Sequence, residues 1–428
     1  MKVEHHDMLE RLQRHSFDYF VKEINRSNGL VLDKTTANWP ASIAAMGMAL
    51  TAYPVGISRG FIRRDQGVAL TLTMLRFLAA SEQSEAPDAT GYKGFYYHFL
   101  DMQTGRRAWQ SELSSIDTAI LIAGVLAAAT YFDAASAGEA EIRALGVQLY
   151  ERVDWRWMLA GGDTVCHGWK PEGGFLAYRW EGYDEALILY LLALGSPTDP
   201  IDPASYEAWC RTYEWKNIYG HDFVYAGPLF THQMSHIWCD FRGVRDRFMR
   251  EHDSDYFENS RRATLVQQQY AIRNPQAFKH AGQFCWGVTA SDGPGFQVKT
   301  IDGVERVFYD YVARGAPYGP DDGTIAPWAV AASLPFAPEI VAPTLEAMGG
   351  MHIHLQNPYG FKASINRVFH EGDDDVDWVS PYHFGINEGP TVLMIENFRS
   401  GMVWQLMRKC GPLVDGMRAA GFAGGWLG

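Results

Sequence analysis

Apolar residues recur at intervals of three and four along most of the chain, the spacing that places them on one face of a helix. This periodicity predicts about twelve helices, over roughly 7–24, 41–54, 61–82, 114–133, 139–157, 184–195, 203–213, 231–241, 256–273, 326–334, 337–350 and 390–409. Several ends are readable. Ser114 or Ser115 can cap the fourth helix, Asp202-Pro203 opens the seventh, and Pro390 falls in the first turn of the last. The run after Asp117 and the run Leu187 to Leu194 are almost wholly apolar, so these helices are expected to be buried on most sides. Long segments rich in Gly, Trp and Asp separate the helices at 85–113, 158–183, 282–325 and 352–389, and loops of that length in a compact chain usually carry function. Within them, Phe95 to Phe99 and Phe296 to Lys299 read as short strands, as β-hairpins decorating the helices.

The chain has no βαβ alternation, phosphate-binding glycine loop or heptads. The pattern therefore predicts an all-α toroid, an inner ring of helices wrapped by an outer ring, with long loops gathered at one mouth. With no Pro/Ser-rich linker and no fixed-period repeat, residues 1–428 read as a single domain.

Charge then narrows the partners. A net charge of -13 argues against nucleic acid and anionic membrane surfaces, which select cationic patches. No stretch is long and apolar enough to span a membrane, and the N-terminus lacks the apolar run of a signal peptide. The chain as given reads as cytoplasmic; a leader already removed would leave the same appearance and place it in the periplasm. Five scattered cysteines suggest neither a disulfide framework nor a zinc site. Aromatic residues make up 14% of the chain, and many sit beside Gly, Pro or Asp, where rings with an apolar face and a polar edge suit the C–H faces of sugars.

Three loop-to-helix junctions each present a carboxylate ahead of a buried helix. The first holds Glu112 and Asp117, the second Asp184 and Glu185 after Trp180 and Tyr183, and the third Glu388 before Gly389-Pro390. A carboxylate at a helix start is favoured in its ionised form, whereas burial among aromatics raises a carboxyl pKa as a general acid requires. Junctions meeting at one mouth would supply the paired carboxylates that glycoside hydrolysis needs. Glu396, well inside the last helix, is expected to pair with Arg399 or to cap another loop rather than to react. His232 and His236, four residues apart, have no third ligand, so no metal is assigned and His232 is placed among the pocket side chains. His352 and His354 alternate as in a strand, and the run from Glu371 to Asp377 lacks the calcium-hand pattern and reads as a solvated acidic loop.

The segments Ser111-Glu112 to Ala119, Trp180 to Ala186 with Leu191 to Thr198, Thr231-His232-Gln233 with Asp240-Phe241-Arg242, Cys285 to Gly293, and Gly389-Pro390 to Gly401 together resemble the glucoamylase-like carbohydrate enzymes that include glycoside hydrolase family 144, the bacterial endo-β-1,2-glucanases. The resemblance implies an (α/α)6 toroid that cleaves a glucan at its mouth without a cofactor. It places Asp117 and Glu185 in the catalytic cleft. On this reading the chain takes a β-glucan or β-gluco-oligosaccharide, Glu185 is the general acid, and Asp117, together with Glu388, positions or activates water. Trp169, Trp180, Tyr183, Trp286 and Trp328 hold sugar rings, while Arg242, Asp322, His232 and Glu112 complete the binding set. Transglycosylation or phosphorolysis on the same toroid, or glycan binding without catalysis, are the competing functions.

Overall fold

The computed structural model describes residues 3–351, 357–370 and 376–428. His352, His354 and the acidic residues 371–375 lie outside the described residues.

Helices facing inward and outward alternate along the chain. The inward ones are α2 (Ile43–Ser58), α4 (Ser115–Tyr131), α6 (Leu187–Leu194), α10 (Pro327–Ala332) and α12 (Gly385–Arg399). α2, α4 and α6 are apolar on nearly every side because neighbours cover every side: all eight residues of α6 are buried, as is Ile43 through Gly56 in α2. Around them lie α1 (Val3–Lys22), α3 (Arg64–Ala80), α5 (Ala137–Glu151), α7 (Pro203–Cys210), α9 (Tyr256–Arg273) and α11 (Pro338–Gly349). These outer helices keep polar residues on the side facing solvent, as α1 and α9 do with Arg14, Asp18, Glu258 and Arg262.

The sixth inner position is not an α-helix. The predicted helix over 231–241 is two 3₁₀ turns, Leu229–His232 and Met234–Ile237. Polar side chains hold this element in place. Ser235 Oγ accepts from Ile188 N of α6 at 3.0 Å, and Gln233 Nε2 donates to Ala329 O and Ser333 Oγ at 2.6 and 2.7 Å, tying it to α10. With α12 packed on α2 and α10, and α4 on α2 and α6, the ring closes as an (α/α)6 toroid. The short helices α8 (Arg247–Glu251), α13 (Met402–Met407) and α14 (Gly411–Ala419) complete the set; α13 follows the C-terminal end of α12, and α14 packs on the last turn of α6.

The last predicted helix differs from its expectation at both ends. It begins at Gly385, so Pro390 lies in its interior rather than its first turn and forfeits one backbone hydrogen bond. It ends at Arg399, because Gly401 adopts φ 68° and starts α13 in a new direction. The expected decorations are present. Gln297–Ile301 pairs antiparallel with Val304–Phe308, and Phe95–Tyr96 and Phe99–Leu100 are short strands. Among the described residues no helix is long and apolar enough to cross a membrane.

Candidate active site

The inner helices start at the same end of the ring, and the junctions that lead into α4 and α6 place acidic residues there. Ser114 caps α4 by accepting from Asp117 N at 3.1 Å, and its hydroxyl donates back to Asp117 Oδ2 at 2.5 Å. The carboxylate of the first turn is thereby fixed by the residue that starts the helix. Before α6, Asp184 Oδ1 accepts from Ala186 N at 2.9 Å and from Trp209 Nε1 at 3.2 Å. Asp184 is thus taken up in the turn that leads into α6, and Glu185 is left to face the mouth, with its carbonyl accepting from Ser235 Oγ at 3.1 Å.

The electrostatics separate the two carboxylates. Burial, then the negative charge of Asp117, pushes Glu185 up to about 7, so it holds its proton near neutrality. Burial and the charge of Glu185 raise Asp184 as well. Asp117 is held from its other side by a histidine. His98 Nε2 lies 3.5 Å from Asp117 Oδ2, and Nδ1 lies 2.9 Å from Glu112 Oε1. Burial opposes a charge on this ring, but Asp117, Glu112 and Asp33 outweigh it and hold the imidazole protonated up to about 9. Glu112, which burial would raise, is kept below the usual carboxylate range by the hydrogen bond and charge of His98.

Further acids from distant loops join the same cleft. Asp33 accepts from Trp39 Nε1 at 2.9 Å and is raised by its own burial, with Asp117 adding to the shift. Asp292 accepts from Ser380 Oγ at 2.7 Å and is also raised by burial. The phenol of Tyr311 is raised by desolvation in the cleft and then by the charges of Asp33, Asp292, Asp117 and Glu185, while half of its surface (51%) remains open. Lys34 is the nearby cation, with its ammonium 4.2 Å from the Trp39 ring and 4.4 Å from that of Tyr382.

Several expected site residues lie elsewhere. Glu388 is buried in the first turn of α12, 3.0 Å from His383 Nδ1, and its surroundings are Ser16 of α1 and Lys362 rather than Asp117 or Glu185. Asp322 has no exposed side-chain surface; both oxygens accept from Arg314, at 2.8 and 2.9 Å. Arg242 follows the C-terminal end of the inner 3₁₀ element, pairs with Asp240 at 2.7 Å and covers Trp404 of α13, at the end opposite the mouth. His232 is buried against Tyr183, and burial lowers it to about 4.

Most of the aromatic set is structural. Trp286 is fully buried and donates to Thr344 Oγ1 at 3.0 Å, and Trp328 packs in the same apolar cluster. Trp180 is buried, stacked on His167 at 3.8 Å, and donates to Ser115 Oγ at the start of α4. Tyr183 is stacked on Tyr256 at 5.7 Å. Trp169 keeps partial exposure beside Tyr92 and Trp157. Trp109 is an open ring, 56% exposed and edge-on to Trp39 at 4.5 Å. Trp109 and Gln110 both have positive φ, 54° and 53°, a conformation that Arg107 holds by donating to Gln110 O and Ser111 O at 2.9 and 2.6 Å.

The model of the Glycoamylase family, described as "Putative glucoamylase", matches residues 177–411, more than half of the chain. The chain belongs to this family. Within and around the Glycoamylase group, it is 27% identical over 434 aligned residues to an exo β-1,2-glucooligosaccharide sophorohydrolase (non-reducing end) of Parabacteroides distasonis. That alignment takes in 93% of the chain, which spans 56% of the relative's length. A Bacteroides uniformis crystal structure carrying the family's description superposes with TM-score 0.85 at 28% identity, over 100% of both chains. The endo-β-1,2-glucanase of Chitinophaga pinensis, solved with sophorotriose and glucose, superposes with TM-score 0.84 at 25% identity, over 99% of each chain.

Proposed function

We propose that this Glycoamylase member hydrolyses β-1,2-linked glucan or gluco-oligosaccharide, with Glu185 as general acid and Asp117 as the carboxylate that activates water. The observation that carries the reading is the division of labour between two carboxylates in one cleft: Glu185 is held protonated up to about 7, and Asp117 is hydrogen-bonded by Ser114 beside a protonated His98. Glu185 gives its proton to the glycosidic oxygen as the bond to the anomeric carbon breaks. Asp117 takes a proton from the water whose oxygen bonds to that carbon. The β-1,2 linkage follows the activities named for the P. distasonis and C. pinensis proteins. Trp109, Trp39 and Tyr311 supply the ring faces, while Asp33 and Asp292 supply acceptors for sugar hydroxyls.

The test is incubation of the protein with a panel of β- and α-linked glucans, with product anomers followed by NMR. Cleavage of β-1,2-glucan with release of the α-anomer is expected. A β-anomer product would reassign Asp117 as a nucleophile, and absence of turnover on every glucan would remove the reading. Glu185→Gln and Asp117→Asn are each expected to reduce turnover by about 10²–10⁴-fold with folding retained.

A further inference from the structure

His98 belongs to none of the acidic junctions, yet its ring is constrained on every side. It lies between two carboxylates of the same junction, with Nδ1 2.9 Å from Glu112 and Nε2 3.5 Å from Asp117. Its flat face stacks on Phe99 at 4.0 Å with only 10° between the planes, which fixes the rotation of the ring. Its backbone is held too: the amide donates to Glu112 O at 2.9 Å, and the carbonyl accepts from Ile43 N at the start of α2. Here both ring nitrogens are committed, and one of them touches the proposed base.

We propose that His98 is a positioning residue for the reaction, an imidazolium that Glu112 aims at Asp117 so that the base is held in place and presents its other oxygen to water. Both contacts to the Asp117 carboxylate, from Ser114 Oγ and from His98, fall on Oδ2, which leaves Oδ1 for the cleft. The groups that face the ring are Glu112 from the preceding loop, Asp117 from α4 and Asp33 from the loop before α2, all acidic, with Lys34 behind Asp33. Three acids around one ring favour its charged form, and that charge in turn partly cancels the field of Asp117 on Glu185.

This inference rests on the roles given above to Asp117 and Glu185, and two measurements keep the two apart. In ¹⁵N-histidine NMR of the intact protein, the signals lost in His98→Gln identify this ring. It is expected to be doubly protonated at pH 8, and in Glu112→Gln to lose its proton at least one pH unit lower than in wild type. A neutral His98 at pH 8 in wild type would overturn the proposal whatever the substrate is. In kinetics, His98→Gln is expected to lower kcat about 10–100-fold with KM within about twofold, and to move the basic limb of the pH profile upward, because Glu185 then feels the Asp117 charge without the imidazolium beside it. Unchanged kcat, or a fall in kcat without a shift of the basic limb, would reduce His98 to a structural role. Full activity of Glu185→Gln would instead overturn the function while leaving the NMR result standing.

Discussion

Glu185, the proposed general acid, is costly where it stands. Its pKa is raised to about 7 from 4.5, so the folded state favours the neutral carboxyl. Activity that needs this proton should be full below about pH 7 and fall as pH rises through that value, which a kcat/KM profile on a cleaved glucan would read. The same shift links pH to stability. The neutral form's advantage is complete below 4.5 and is lost as pH rises through about 7, so Glu185→Gln should melt higher than wild type, by a margin that grows from pH 5 to pH 8 in thermal scans. This residue and Asp117 were legible in the sequence because each sits at the opening of an apolar run, where a carboxylate has no packing role. His98, Asp33 and Asp292 were not. His98 lies in an aromatic stretch that reads as a strand, and Asp33 and Asp292 lie in loops whose place in the cleft depends on how the chain returns to it. The aromatic platforms failed for a related reason: flanking Gly and Asp mark Trp180 and Trp286 as loop-borne, but each indole N–H has a buried hydroxyl partner on another helix, Ser115 or Thr344.

At the scale of elements, the ring is built on close approaches that only glycine allows. A Cβ on Gly124 of α4 would lie 2.1 Å from Gly47 O of α2, and one on Gly47 would lie 2.3 Å from Ile120 O. These obstacles are backbone atoms, so no rotamer change relieves them. Gly124→Ala should push the two helices apart at a cost of about 1–3 kcal/mol, read as a lower urea midpoint with an unchanged slope. Turnover should fall as well, since Asp117 rides on α4. The helices that were easiest to place in the sequence are the ones whose caps and apolar runs agree, α4 with Ser114 and α7 with Asp202 and Pro203. The inner 3₁₀ element was misread because Thr231 to His236 carries helical spacing, while the side chains of Gln233 and Ser235 are spent on neighbouring helices. Local spacing cannot reveal that competition.

Across the whole molecule, long-range ion pairs join parts of the ring that are far apart in sequence. Arg59, just after α2, meets Glu396 of α12 at 2.6 and 2.8 Å, in place of the local Arg399 pairing expected from the sequence; Arg399 turns to Glu10 and Gln13 of α1. Glu396 is buried and also accepts from Gln13 and Ser400, and although burial alone would raise its pKa, these partners hold it low. Arg59→Ala should cost about 3–5 kcal/mol at pH 7 because a buried charge is left unpaired. A depressed carboxylate contributes above its unfolded pKa of about 4.5 and loses that contribution as pH falls, so the variant's deficit in urea unfolding should shrink in acid. The amino-acid sequence by itself determined the alternation of buried and amphipathic helices, the double ring that follows from it, and the two carboxylates at the starts of apolar runs, because periodicity and capping are local. Only the tertiary structure decided which acids share the cleft, which rings stay open and which histidine is charged. Those outcomes depend on distances and desolvation between segments that meet only when the ring closes.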